Sequence, residues 1–199
     1  MIGEKAIEKY LHGSRKDFYS PWLLKDMEKA VAILQEKIEN RNRIRIIGDY
    51  DIDGVMSTYI LLESLRGLGC DVDMMIPNRI TDGYGINEHL IEQAWQEGRD
   101  TIITCDNGIA AVTQIRKAKD LGMTVIVTDH HEVPFEDLEG ERKEILPPAD
   151  AIVNPKQKAC SYPFAGLCGA VVAMKVMEAL YEKMAPEVDL VDKMLPFAG

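Results

Sequence analysis

Five short apolar, β-branched runs recur along the chain, with helix-like stretches between the first four, and this alternation limits the possible folds more than any other feature. The runs are Arg43 to Ile47, Val72 to Ile76, Thr101 to Cys105, Thr124 to Thr128 and Ala151 to Val153. Val55 to Leu68, Glu88 to Glu97 and Ile109 to Leu121 carry helical patterning, with Asn87 placed to cap the second helix and Gly98 and Gly122 placed to stop the second and third. Runs that are apolar at nearly every position, not every other one, are strands buried on both faces. Joined through helices, such strands give an α/β fold: a parallel sheet of five or more strands, right-handed crossovers, and helices on both faces. Ahead of it, Ser20-Pro21 reads as the start of a helix carrying Met27, Val31, Leu34 and Ile38 on one stripe and ending near Asn40. Residues 1–42 are therefore expected to form an N-terminal helical segment packed on a domain of residues 43–199. Glu132 to Pro148 is acidic, has no clear period and reads as a surface loop. An apolar helix is expected from about Leu167 to Met184, and another near Glu187.

Acidic motifs follow three of the strands. Gly48-Asp49-Tyr50-Asp51-Ile52-Asp53-Gly54 comes after the first, Asp106-Asn107-Gly108 after the third, and Asp129-His130-His131 after the fourth. The carboxyl ends of parallel strands line one crevice, so motifs far apart in sequence converge there. A lone Asp after a strand is usually a turn or cap residue, and a lone His pair is usually a loop. Three acidic motifs at three strand ends, each beside Gly or His, exceed what capping needs. Carboxylates and imidazoles crowd together only when cations offset their repulsion. The carboxylate majority favours hard divalent ions, and a pair of them suits phosphoester hydrolysis. No GxGxxG or Walker loop is present, which leaves nucleotide binding of those kinds without support.

Composition at first points away from a nucleic-acid partner. The chain of 199 residues has 23 Lys and Arg against 33 Asp and Glu, a net charge of −10. The excess is uneven. Residues 1–45 hold ten basic and seven acidic side chains, and the rest hold thirteen against twenty-six. Acidity gathered around cations makes the bulk figure a poor guide to the partner. Cys70, Cys105, Cys160 and Cys168 form no CxxC pair and read as reduced thiols. No uncharged stretch reaches the roughly 20 residues of a membrane helix. A cytoplasmic protein without a membrane partner is expected.

In this order and with these spacings the three motifs resemble the DHH phosphoesterase superfamily, whose namesake triplet is Asp129-His130-His131. Within it the chain is similar to the single-stranded-DNA-specific exonuclease branch. That likeness is carried by the GDYDIDG form of the first motif, by Ile76-Pro77-Asn78-Arg79 with Asp82-Gly83-Tyr84-Gly85-Ile86, and by Phe164-Ala165-Gly166-Leu167-Cys168-Gly169-Ala170. The resemblance implies two divalent cations, with Mn²⁺ the first expectation and Mg²⁺ the second. Asp49 and Asp51 would each hold one ion, Asp106 would bridge them, and His130 would complete the shell of the second ion. His131 would face the scissile phosphate, and Asp53 would bind metal or orient its neighbours. Arg79 would contact phosphate, and Tyr84 would offer a stacking face. The implied activity is 5′ to 3′ degradation of single-stranded DNA to 5′-mononucleotides in recombination and repair, with repair or helicase proteins as further partners. The oligomeric state is not implied. The superfamily carries a fourth acidic motif and a second domain, named DHHA1, beyond the point where this sequence stops. The resemblance thus implies a catalytic domain incomplete at its C-terminus, DHHA1 absent, and an impaired or inactive fragment.

Three rival readings use the same residues. A nanoRNase or cyclic-dinucleotide phosphodiesterase of the same superfamily would usually carry a His form of the first motif, which Ile47-Gly48 replaces. A haloacid-dehalogenase-like phosphatase would use Asp51 as nucleophile and Asp53 as general acid, and would leave Asp129-His130-His131 without a role. A non-catalytic single-strand-binding relative would have lost metal ligands, whereas all three motifs here are intact.

Overall fold

The computed structural model describes residues 11–78, 85–138 and 140–198. Its centre is a five-stranded parallel sheet of β1 (Arg43–Ile47), β2 (Asp71–Met75), β3 (Thr101–Cys105), β4 (Thr124–Thr128) and β7 (Ala151–Val153), in the order β2-β1-β3-β4-β7. Helices α1 (Met27–Glu39), α2 (Ile52–Gly67) and α5 (Gly169–Met184) cover one face. Helices α3 (Glu88–Gln96) and α4 (Val112–Asp120) cover the other. Because each inner strand meets helices on both sides, β3 is buried along its whole length and β1 at four of five positions. The α/β class, the parallel sheet and the helices on both faces are as the patterning requires.

The charged positions of β1 are explained by its neighbour. Arg43 and Arg45 lie in register with Asp71 and Asp73 of β2. Arg45, 3% exposed, donates to both Asp73 oxygens at 2.9 and 2.7 Å and also contacts Glu97. Directly opposed charges of this kind fix strand register. The edge strand begins at Asp71, one residue before the apolar run, because its charged positions take part in the pairing.

Three local expectations are corrected. No helix runs from Pro21 to Asn40. Pro21–Leu23 forms a 3-10 turn, Ser20 makes no side-chain cap, and α1 starts only at Met27. Asp26 intervenes in the left-handed region (φ 60°), and its carboxylate accepts from the Ile152 amide of β7 at 3.2 Å. Pinning the turn to the sheet edge outweighs continuing the helix. Within Glu132 to Pro148 lies a hairpin, β5 (Phe135–Leu138) with β6 (Glu141–Glu144). Nearly all its side chains are exposed, so it lacks the one-sided apolar alternation that marks a half-buried strand. It pairs charges instead, with Glu136 opposite Lys143, Asp137 opposite Arg142, and the Arg142 guanidinium 4.1 Å from the Phe135 ring centre. The last helix, α6 (Leu190–Met194), begins later than Glu187, at the Asp189 cap.

All four cysteines are free thiols. Among the described residues no helix is long and apolar enough to cross a membrane.

Candidate metal centre

The sheet order places the topological switch between β1 and β3: the chain leaves β1 towards β2 and returns on the other side as β3. Crevices at such points, beyond the carboxyl ends of the strands, are where open α/β sheets bind ligands. The three acidic motifs meet there.

Asp49 follows β1 and is fully buried. Its Oδ1 accepts from the Tyr50 amide at 2.8 Å, while Oδ2 is buried without a hydrogen-bond partner. Asp51 caps α2, accepting from the Gly54 amide at 2.9 Å, and is otherwise exposed to the crevice. Asp106 leaves β3 in the left-handed conformation (φ 58°) and is 1% exposed. His130 Nε2 lies 3.0 Å from its Oδ1 and 3.4 Å from Asp53 Oδ2. The Asp106 contact is a charge contact and not an aligned hydrogen bond, since Asp106 Oδ1 has no hydrogen-bond partner. Burial, with the nearby charges of Asp53 and Asp51 adding to it and His130 opposing, pushes the Asp106 carboxyl up to about 6. Its Asp106 contact raises the His130 pKa in turn.

Two ligand sets result. Oxygens of Asp49, Asp51 and Asp106 lie within 4.8 Å of one another, as do donor atoms of Asp106, His130 and His131. Asp106 belongs to both. Asp49 Oδ2 is buried with no hydrogen-bond partner, and Asp106 Oδ1, also without an aligned hydrogen bond, meets the His130 ring; buried carboxylates so placed are costly unless further positive charge meets them. The donor set is oxygen-rich with one or two imidazoles, as hard divalent cations require. The residues present fit such ions.

Asp53 stands apart from the rest. Its oxygens accept from the Gly169 and Ala170 amides at 2.6 and 2.7 Å, so it closes the N-terminus of α5 and not that of its own helix. Asp53→Ala should cost about 2 kcal/mol of stability, the scale of a lost helix cap, measured by chemical denaturation. A change below a few tenths would mean the amides are equally well served by water.

Glycine is required at two positions by close approach. A Cβ on Gly169 would stand 2.8 Å from Asp106 Oδ1, and one on Gly54 would stand 2.6 Å from both the Cβ and the carbonyl oxygen of Asp49. The N-termini of α5 and α2 are thereby drawn against the two carboxylates.

Asp129 emerges as the hub of the third motif, although the sequence suggested no role for it. Buried, it accepts from the amides of His130 (2.7 Å), His131 (3.1 Å) and Ile109 (2.9 Å) and meets His131 Nδ1 at 2.8 Å. Burial raises its pKa, but the His131 ring and the Ile109 and His131 amides outweigh that and hold the carboxyl below the ordinary range. His131, held through Nδ1, has its pKa raised by this pairing. Asn107 was also overlooked. It is buried, with Nδ2 donating to Ile47 O (3.2 Å) and Cys105 O (3.0 Å) and Oδ1 unpartnered. The signal for both lay in the motifs themselves, where the conspicuous neighbours drew attention. The structure thus brings together Asp49, Asp51, Asp106, His130 and His131, with Asp53 adjacent. Arg79 and Tyr84 lie outside the described residues.

A parallel sheet with acidic motifs converging at its switch point is an arrangement suited to holding divalent cations, and the sequence profile described as "DHH family, N-terminal domain" matches residues 43–196. The chain belongs to the DHH family. It is 43% identical over 178 residues to the single-stranded-DNA-specific exonuclease RecJ of Bacillus subtilis, covering 89% of this chain and 22% of that protein. To RecJ of Escherichia coli it is 41% identical over 162 residues, covering 80% and 26%. The crystal structure of an exonuclease RecJ bound to manganese superposes with a TM-score of 0.72 at 32% identity, covering 87% of this chain and 42% of that one. The chain therefore spans about a quarter of the length of these curated relatives.

Proposed function

We propose that this chain forms the metal-binding part of a nuclease that hydrolyses single-stranded DNA from its 5′ end to 5′-mononucleotides, using two divalent cations, Mn²⁺ or Mg²⁺. The observation that carries the reading is the cluster of donor atoms from Asp49, Asp51, Asp106, His130 and His131, in which the buried Asp49 Oδ2 has no hydrogen-bond partner and Asp106 Oδ1 meets the His130 ring. The likeness to RecJ exonucleases supports the choice of substrate.

In this reading Asp49 and Asp51 would hold one ion each, Asp106 would contribute to both, and His130 would complete the shell of the second ion. Such ions, when bound, supply Lewis acidity towards a phosphoryl oxygen and a water of lowered pKa. The remaining work falls to the chain. Asp129 fixes the ring of His131 through Nδ1 and raises its pKa, which suits the imidazole to stabilising negative charge on the non-bridging phosphate oxygens. Asp53 acts as a positioning residue, holding Gly169 of α5 against Asp106. Arg79 and Tyr84 are proposed strand contacts.

The test is hydrolysis by the whole protein of long single-stranded DNA, duplex DNA and dinucleotides in parallel, with Mn²⁺. Release of mononucleotides from the single strand alone is expected. Cleavage of dinucleotides with long DNA spared would replace this reading with that of a small-substrate phosphodiesterase.

A further inference from the structure

The Asp129-His130-His131 turn is held from a second side, by a residue that belongs to none of the acidic motifs. Strand β7 lies in register with the end of β4, Val153 beside Thr128, and the Asp129 amide donates to the Val153 carbonyl at 3.1 Å. Asn154 follows Val153 directly, so the sheet itself delivers its side chain to the turn. It is fully buried there. Its Nδ2 donates to the His131 carbonyl at 3.0 Å, and its Oδ1 accepts from the Lys156 amide at 2.8 Å.

The two partners select the side chain. A carbonyl needs a donor and an amide needs an acceptor, and Asn offers both on one short planar group. Asp would serve Lys156 but would set an oxygen against the His131 carbonyl. The base from which Asn154 reaches out is itself fixed: buried Gln157 donates through Nε2 to the Ile152 carbonyl at 2.8 Å and the Asn154 carbonyl at 3.3 Å, while its Oε1 accepts from Lys25 Nζ at 2.9 Å. What the Asn154 bond adds follows from the way Asp129 grips. The amides of His130 and His131 and the Nδ1 of His131 all meet one atom, Asp129 Oδ1. Contacts that share one atom fix a distance and not a direction. Asn154 holds the other end of the His131 residue, its carbonyl, and thereby sets the direction. The His131 side chain is 44% exposed, so its aim into the crevice depends on such anchors more than on packing.

We propose that Asn154 is a positioning residue for the reaction, which aims the His131 imidazole at the scissile phosphate by holding the His131 main-chain carbonyl. The inference rests on the proposed nuclease reading and adds to it a residue from outside the three motifs. A misplacement of about 1 Å at a reacting centre can cost roughly a hundredfold in rate, so a single buried hydrogen bond at this point has a large effect.

The test compares wild type with Asn154→Asp, which keeps the acceptor for Lys156 and removes the donor, and with Asn154→Ala, which removes both. In the whole protein, kcat and KM are measured on single-stranded DNA with Mn²⁺, Mn²⁺ binding is followed by calorimetry, and an ion-free crystal structure of each variant locates the His131 ring. Both variants should fold and keep KM and Mn²⁺ affinity within about twofold of wild type, while kcat falls at least about tenfold and the ring shifts by about 1 Å relative to Asp106. An unchanged kcat in either folded variant would overturn the assignment. Loss of folding or of Mn²⁺ binding in both variants would overturn it too, by making Asn154 a scaffold residue. A wild type that releases no nucleotide from single-stranded DNA would strike the nuclease reading instead. The anchor is then judged by the crystal structures, standing if the ring is displaced in Asn154→Asp and falling if the ring keeps its wild-type place.

Discussion

Asp106→Asn should yield a protein that is more stable than wild type without divalent ions and gains little stability from them. The folded chain holds the Asp106 proton up to about pH 6, whereas an unfolded chain releases it near 4. Between those values the folded state binds more protons, so the stability of the ion-free protein falls as pH rises from about 4 through 6, and the full cost stands above 6. The gap between the folded and unfolded values corresponds to about 3 kcal/mol as an order of magnitude, and the amide removes that cost. The raised pKa values of His130 and His131 act in the same direction, because their contribution is lost as pH rises through them. Ions reverse the slope, since they need these ligands deprotonated. Thermal melts of both proteins from pH 5 to 8, with and without Mn²⁺, measure this. Wild type should gain more from Mn²⁺ at pH 8 than at pH 5, and Asp106→Asn should gain little at either. A variant still strongly stabilised by Mn²⁺ would show that Asp106 is not a shared ligand.

Gly54→Ala should be severely destabilising although it sits in the first turn of a helix. Propensity alone favours alanine over glycine by about 1 kcal/mol. The added Cβ would meet the Asp49 Cβ and carbonyl oxygen at 2.6 Å and its carbonyl carbon at 2.7 Å, none of which can swing aside. Helix α2 would have to move off β1, carrying Asp51 with it. A loss of about 2 to 4 kcal/mol is expected, overpacking of this kind usually costing about 1 to 3 kcal/mol or more, together with weakened Mn²⁺ binding. Denaturant titration gives the first and calorimetry the second. A stabilised variant would mean that the Asp49 and Gly54 backbones are not in contact.

The fold was legible because burial on both faces writes itself into a strand as an unbroken apolar run. The bounds of β1, β3, β4 and β7 follow those runs. β2 is displaced by one residue because its Asp71 and Asp73 meet Arg43 and Arg45, a pairing visible only once the two strands are neighbours. The β5–β6 hairpin left no trace because exposed strands paired through charges have no apolar period. The convergence of Asp49, Asp51, Asp106 and His130 could be read from topology, since strand ends meet wherever the sheet is parallel. Local spacing gave no hint that the Asp53 carboxylate reaches 116 residues along the chain to close α5, or that Asp129 anchors His131. Those contacts depend on how α5 and the β4 loop sit over the crevice, which sequence periodicity does not encode.

The most direct measurement is a diffraction map from crystals soaked in Mn²⁺, collected where manganese scatters anomalously. Two peaks are predicted in the crevice among Asp49, Asp51, Asp106 and His130, with Asp106 beside both. Peaks only elsewhere on the surface, with the Asp49 and Asp106 oxygens meeting protein or water alone, would contradict a metal centre at this switch point.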